Sequence, residues 1–579
     1  MKKAKKFLLN LLAFASVSAF ALGVVACGKD GTDSGDLPPE QQNAIEQVYD
    51  SYVEYATAQG QTPLDYETWL ATIKGATGAK GDKGDKGETG VGIESVEVDE
   101  DGMMIITLTD GTVLPAIELP TGEPIEKGAT RNLHYQKIAG KDEYCVIGLG
   151  LAAENDIVIS STYNGLPVTE IGYRAFAKSY ITSIEIPDSI TTIKEEAFSA
   201  CDNLTSVTIP NSVTTIGNHA FAYCDGLESI YYKGSISDWC TIEFELIKDM
   251  FSSSPLYNGA DLYINNEKVV DLVIPDDVET IKNCTFYGAS FESVTIPDSV
   301  TTIGNYAFAY CDSLTSITIP DSVTTIESYA FSSCDSLTSI TIPDSVTTIG
   351  QYAFYYCDSL TSVTIPDSVT TIEDDAFYDC NSLTSVTIPN SVTTIGDDAF
   401  YDCDSLTYNI KDNVKYLGNE NNPYIYLVGM VDETATSVTI DNTCKFIGSR
   451  AFYDCNSLTS VTIPNSVTTI GGGAFRYCVS LTSVTIPNSV TTIGGGAFLG
   501  CDILTSVTIP NSVTTIGRNA FYVCDSLTSV VFEDTSTWYR TDDYEDWQNK
   551  VNGEQVDVSD AEDAADLLND GWYYCWYKL

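Results

Sequence analysis

The chain has little histidine, little basic charge and no long apolar run beyond its first 26 residues. Its 579 residues include two histidines, and 29 lysines and arginines stand against 81 acidic side chains, for a net charge of −52. The histidines, His134 and His219, lie in different parts of the chain and suggest no Ser-His pairing. The shortage of bases argues against nucleic acid or anionic lipid as a direct partner, because a field of that sign repels phosphate. After residue 26 no segment approaches the ~18 apolar residues of a membrane-spanning helix. There is no Gly-rich phosphate loop, no metalloprotease helix motif and no close Cys-His zinc spacing. These absences point away from an enzyme, and any catalysis would have to sit in an insertion. The 43% hydrophobic content excludes a disordered acidic chain. The length exceeds one ordinary core, so several domains or a repeat array is expected.

The first 26 residues read as an export signal. Lys2, Lys3, Lys5 and Lys6 precede an apolar run from Phe7 to Ala26, which ends in small residues before Cys27. That order resembles the bacterial lipoprotein signal, which implies acylation of Cys27 and attachment of the exported chain to the membrane; the alternatives are a plain signal peptide cut nearby and a retained membrane anchor. Residues 27–37 are a polar, glycine-rich tether. Residues 38–74 carry helical spacing (Ile45, Val48, Tyr49, Tyr52 and Ala56, then Trp69, Leu70 and Ile73) and predict a small helical adaptor. Residues 75–92 are six glycine-first triplets, a collagen-like spacer too short and proline-free for an independent triple helix. Residues 93–128 alternate around Asp101-Gly102 and Asp110-Gly111, as in a small β meander and linker.

One phrase then recurs, as in CDSLTSITIPDSVTTIGQYAFYYC from Cys334 to Cys357. Phe176, Phe198, Phe221, Phe286, Phe308, Phe331, Phe354, Phe377, Phe400, Phe452, Phe475, Phe498 and Phe521 mark 13 copies spaced mostly by 23 residues, interrupted by insertions of 42 and 29. A fixed period of this size predicts a solenoid. Leu337, Ile340 and Ile342 alternate with polar residues as a short strand, and Pro343 removes a donor and ends it. Asp344-Ser345 turns the chain. Val346, Ile349, Ala353, Phe354 and Cys357 then face inward. One copy cannot bury enough surface to fold alone, and stacking supplies the rest.

Eleven of the 17 cysteines stand three after the phenylalanine (Cys201, Cys224, Cys311, Cys334, Cys357, Cys380, Cys403, Cys455, Cys478, Cys501 and Cys524). A disulfide framework does not place one cysteine per identical turn, so a ladder of buried thiols is expected. That is unusual for an exported protein and points to an anaerobic setting. The residue after the last isoleucine is glycine in most copies but Lys194, Lys282, Glu327 or Glu373 in four, so the position does not require positive φ.

The pattern LTSVTIPxSVTTIGxxAFxxC resembles the BspA-type bacterial leucine-rich repeat. The insertion segments YYKGSISDWCTIEF and YLGNENNPYIYLVG resemble segments of that family, and YCVIGLGLAAENDIVISSTYNGLPVTEIG resembles its N-terminal cap. The resemblance implies a mainly β, right-handed leucine-rich-repeat solenoid on the cell surface that adheres to host or neighbouring-cell components. The expected order is a cap at 129–160, repeats at 161–234, an insertion at 235–270, repeats at 271–407, a second insertion at 408–434, repeats at 435–532 and a C-terminal cap at 533–579.

Two surface features are candidates for binding. Glu373, Asp374, Asp375, Asp379, Asp397, Asp398 and Asp402 form an acidic cluster that either is solvated or holds Ca²⁺. Tyr355, Tyr356, Tyr378, Tyr401 and Tyr453 form an aromatic strip that either binds glycans or protein loops or covers the edge of the phenylalanine column. The leading expectation is a lipid-anchored binder of extracellular proteins or glycans, monomeric or weakly self-associating and without an obligatory cofactor. The alternatives are an envelope spacer without a dedicated ligand and an enzyme that uses an insertion.

Overall fold

The computed structural model describes three strands between residues 93 and 118, residue 125, and residues 128–578 apart from 151, 153, 246–252, 258, 536, 543–547 and 570–573. Cys27, the export signal, the tether, the helical adaptor and the collagen-like spacer lie outside the described residues. The chain divides into two units, Met1–Gly122 and Glu123–Leu579. In the first, Ile93–Val98, Met103–Leu108 and Ile117–Glu118 form an antiparallel sheet in chain order.

The second unit is a mainly β solenoid whose rungs are joined along three ladders. In the first ladder, strands such as Ser293–Thr295, Ser316–Thr318 and Ser339–Thr341 pair in parallel, with equivalent residues opposite one another. Their central Val or Ile points inward and the flanking Ser and Thr outward. The proline that follows ends each strand, because it has no N–H to donate. The second ladder stacks the Thr-Ile pairs, such as Thr302–Ile303 on Thr325–Ile326.

The third ladder was not foreseen. In all 13 copies the residues two before and two after the phenylalanine have positive φ, 53–61° and 54–75° respectively. Arg174, Tyr352, Asp375 and Arg450 occupy the first position, and Tyr356, Asp379 and Val523 the second. With a left-handed residue at each end of this five-residue stretch, every second N–H points along the stack. The N–H groups of Tyr352, Phe354 and Tyr356 donate to the carbonyls of Asp374, Ala376 and Tyr378 on the next rung, at 2.8–3.0 Å. Those of Ala353, Tyr355 and Cys357 close turns within the rung. A left-handed non-glycine residue costs about 1 kcal/mol, and the axial bonds it permits offset that.

The core is a stack of phenylalanine rings with centroids 4.9–5.6 Å apart within each uninterrupted run. The insertions keep the stack closed. In the first, Ser229–Tyr232 and Glu243–Phe244 continue both ladders, and the helix Ile236–Thr241, capped by Ser235, replaces the proline turn. Buried Trp239 donates from Nε1 to the Thr285 carbonyl at 2.8 Å, which ties the helix to the next repeat. In the second insertion, Tyr426–Met430 pairs with Phe446–Ile447, Gly418 bridges to Thr387, and the Tyr426 ring packs edge-on to Phe400. Both ends are covered. Tyr144–Gly148 shields the first rung through Leu166–Ile171, and Cys575–Lys578 pairs antiparallel with Thr515–Ile516 at the last. Helix Ala561–Asn569 packs Ala564, Ala565 and Leu568 inward beside it.

Candidate functional site

The side chains of the repeat answer first to the ladders. None of the 16 described cysteines forms a disulfide, and all are buried. Apart from Cys455, which donates to Met430 Sδ after the second insertion, the thiols of the ladder donate to the phenylalanine carbonyl of the preceding rung, as in Cys334 to Phe308, Cys357 to Phe331 and Cys380 to Phe354, each at 3.2 Å. That carbonyl also accepts the N–H of its own rung's cysteine, as Phe354 does from Cys357. Cysteine therefore fits where the site is small, apolar and carries a spare acceptor. Burial pushes the Cys357 thiol up to about 12 and keeps it protonated. Turn serines act in the same way: Ser322 and Ser391 donate to the carbonyls of Val300 and Val369.

The acidic cluster divides into separate roles. Asp374 Oδ1 accepts the Asp397 N–H at 2.8 Å, and Glu373 accepts the Gln351 N–H at 2.9 Å. Asp397 Oδ1 accepts from the Ser449 hydroxyl at 2.9 Å and the Gly472 N–H at 2.6 Å, so it clamps two rungs beyond the second insertion. Asp398 pairs with Arg450 at 3.1 Å, Asp375 accepts the Tyr352 hydroxyl, and Asp379 accepts from Asn381. Asp402 is exposed, near Asp379 and Asp404. No three acidic, His or Cys side chains among the described residues converge to hold a metal ion. Glu373, Asp374 and Asp397 thus serve as rung-to-rung hydrogen-bond acceptors. Burial, with Asp397 nearby, pushes the Asp374 carboxyl up to about 6. Burial likewise raises Asp398 to about 6, and it outweighs the opposing pull of Arg450.

The aromatic strip is real in its first part. Tyr355 stacks on Tyr378 at 5.2 Å, Tyr356 lies 6.1 Å from Tyr378, and Tyr378 lies 5.6 Å from Tyr401. There the strip meets Arg450, whose guanidinium sits 4.2 Å over the Tyr401 ring while it pairs with Asp398. Tyr453 belongs to a second group, edge-on to Tyr477 at 5.8 Å with Arg476 4.9 Å over Tyr477. A parallel column was missed from sequence. Tyr306, Tyr329 and Tyr352 stack at 4.4 Å per step, and Tyr352 reaches Tyr355 at 5.2 Å. Together these rings form a tyrosine face several rungs long. The signal for the second column was tyrosine repeated two before the phenylalanine. Arg450 stands at the same phase as Asp398, two before the phenylalanine of the next copy, although the second insertion separates the two in sequence.

His134 lies in the cap strand His134–Lys137, and His219 occupies a left-handed position beside Asn218. Two surface clefts are shallow: one of about 370 Å³ lies along residues 137–142, and one of about 340 Å³ is lined by Tyr173, Lys194, Glu195 and Glu245 among others. Neither gathers a nucleophile with a base. No helix among the described residues is long and apolar enough to cross a membrane.

Comparison with known proteins follows the ladders. The family described as BspA type Leucine rich repeat region matches residues 159–255, 258–360, 301–421 and 432–546. A leucine-rich repeat protein from Bacteroides ovatus is 28% identical, over 70% of this chain and 94% of that one, with a TM-score of 0.35. A leucine rich cell surface protein from Faecalibacterium prausnitzii is 26% identical over 74% and 97%, with a TM-score of 0.27. A leucine-rich repeat protein from Eubacterium ventriosum is 26% identical over 60% and 90%, with a TM-score of 0.37. No curated protein matches the chain. The family match spans more than half of the sequence and coincides with the stacked rungs, and the chain belongs to the BspA-type leucine-rich repeat family.

Proposed function

We propose that the protein is exported, acylated at Cys27 and displayed on a bacterial cell surface, where its solenoid binds extracellular proteins or glycans of host or neighbouring cells. The observation that carries the reading is the tyrosine face from Tyr306 to Tyr401, with Tyr356 exposed and the other rings half-buried. Tyrosine supplies large, rigid contact area with a hydroxyl at its edge, which suits recognition surfaces. Two further facts support it. The Lys-rich, apolar, small-residue order ahead of Cys27 fits lipoprotein export, and the similar protein from Faecalibacterium prausnitzii is described as a cell surface protein.

The ligand side of the reading is tested by titrating the full chain against extracellular-matrix proteins, mucins and cells of neighbouring species. Saturable binding that is lost when Tyr378 and Tyr401 are both changed to serine supports it. Binding to nothing across the panel, or binding indifferent to the double substitution, refutes the role of this face. The anchor is tested separately: Cys27→Ala should move the protein from the membrane fraction to the medium.

A further inference from the structure

The Tyr306, Tyr329 and Tyr352 column has a geometry that ligand binding does not require. The rings are nearly parallel, at 8° and 17°, and each pair is 4.4 Å apart, so their faces cover one another. Axial bonds fix the spacing, since Tyr329 N–H donates to Gln351 at 2.9 Å and Tyr352 N–H to Asp374 at 3.0 Å. The Tyr352 hydroxyl lies against the Asp375 carboxylate of the next rung. A stacked pair of phenols with a proton acceptor at one end is set up for one-electron oxidation and coupling.

We propose that Tyr329 and Tyr352 are a site of oxidative cross-linking, joined as dityrosine by a peroxidase-type oxidant acting from outside the protein. Each ring gives up one electron. The phenolic proton of Tyr352 passes to Asp375, and that of Tyr329 leaves to water. Overlap of the two ring faces directs bond formation between one ortho carbon of each ring. The hydrogen on each of those carbons then moves to the ring oxygen, which restores both phenols. Two electrons and two protons leave in total, and they reduce one hydrogen peroxide to two waters.

Other oxidisable groups are less well placed. The neighbouring thiols of Cys334 and Cys357 are fully buried and hydrogen-bonded as S–H donors. Tyr135 stacks on Tyr163 at 4.5 Å, but its hydroxyl accepts the Ser160 N–H and has no carboxylate among the described residues to take its proton. Tyr306 is as close to Tyr329 as Tyr352 is, yet it stands a rung further from Asp375. The consequence is a covalent staple between two rungs, formed without any cysteine.

The full chain treated with hydrogen peroxide and a haem peroxidase, followed by dityrosine fluorescence and peptide mass spectrometry, tests this. The expected product is an intramolecular peptide pair joined through Tyr329 and Tyr352 and lighter by two hydrogen atoms. Tyr352→Phe keeps the stacked ring and should abolish that product. Asp375→Asn keeps the side-chain shape and should slow its formation by about tenfold or more, while the rate at other tyrosines is unchanged. Both variants are to melt within the range of the unmodified chain. No cross-link, a bond formed mainly at Tyr306 or Tyr135, or an Asp375→Asn variant reacting at the original rate overturns the proposal.

Discussion

Asp374→Asn should stabilise the solenoid at neutral to alkaline pH and leave it unchanged in mild acid. Asp374 is half-buried among Asp397, Asp375 and Glu373, and burial is the main cause that raises its carboxyl from 3.8 to about 6. A carboxyl that titrates higher in the folded than in the unfolded chain binds more protons when folded. Its contribution is therefore present below about pH 4 and lost as pH rises through about 6. That displacement corresponds to about 3 kcal/mol, at ~1.36 kcal/mol for each tenfold change in proton affinity. Asparagine carries no charge to desolvate, and its Oδ1 still accepts the Asp397 N–H that Asp374 accepts at 2.8 Å. The substitution should add about 2–3 kcal/mol at pH ~8 and close to nothing at pH ~4. Urea and thermal unfolding of both proteins across this range measures the difference. A gain that is equal at both ends of the range, or a loss at pH ~8, would show that charge burial does not govern Asp374.

The other expectations are simpler. Val523 is β-branched at φ 56°, so Val523→Asn, the residue type that Asn519 places at φ 59°, should raise stability by about 1 kcal/mol in urea unfolding. Cys357→Ala removes the donor to Phe331 and leaves a small void; a loss of about 1–2 kcal/mol is expected in the same assay. The described cysteines should stay unreactive to a thiol reagent until the chain unfolds, and a burst of labelling in the native state contradicts the buried ladder. Melting should be the same in a chelator and in millimolar Ca²⁺, because Glu373, Asp374 and Asp397 already accept hydrogen bonds and Asp398 pairs with Arg450; a clear upward shift with Ca²⁺ contradicts this.

Much of the fold is legible because each ladder is written as one residue type at one phase. The phenylalanine, cysteine, turn serine and inward isoleucine columns are all visible as repeated letters, and each proves to be a stack or a row of donors. The left-handed positions are not visible, since Arg174, Glu196, His219, Tyr352 and Asp375 share the same φ sign with nothing else in common. Their conformation is imposed by bonds to the next rung, and local preference is overridden. The nine glycines after the last isoleucine lie outside the positive-φ region, in keeping with the Lys and Glu that replace them. At Gly350 and Gly396 a Cβ would meet the preceding rung's backbone within 2.4–2.7 Å, which explains the preference as closeness of approach. The acidic cluster was visible as charge, but its role depends on Ser449, Arg450 and Gly472, which a 29-residue insertion holds apart in sequence.

The three ladders also set how the molecule bears load. Every axial hydrogen bond runs along the stack, so a pull between the two ends loads the bonds of one rung boundary together and leaves the strands themselves unsheared. When such a boundary parts, each event should free one repeat of about 23 residues, or about 8 nm of chain at ~3.4 Å per residue. A chain held at both ends in moving fluid would then lengthen in steps of about one repeat.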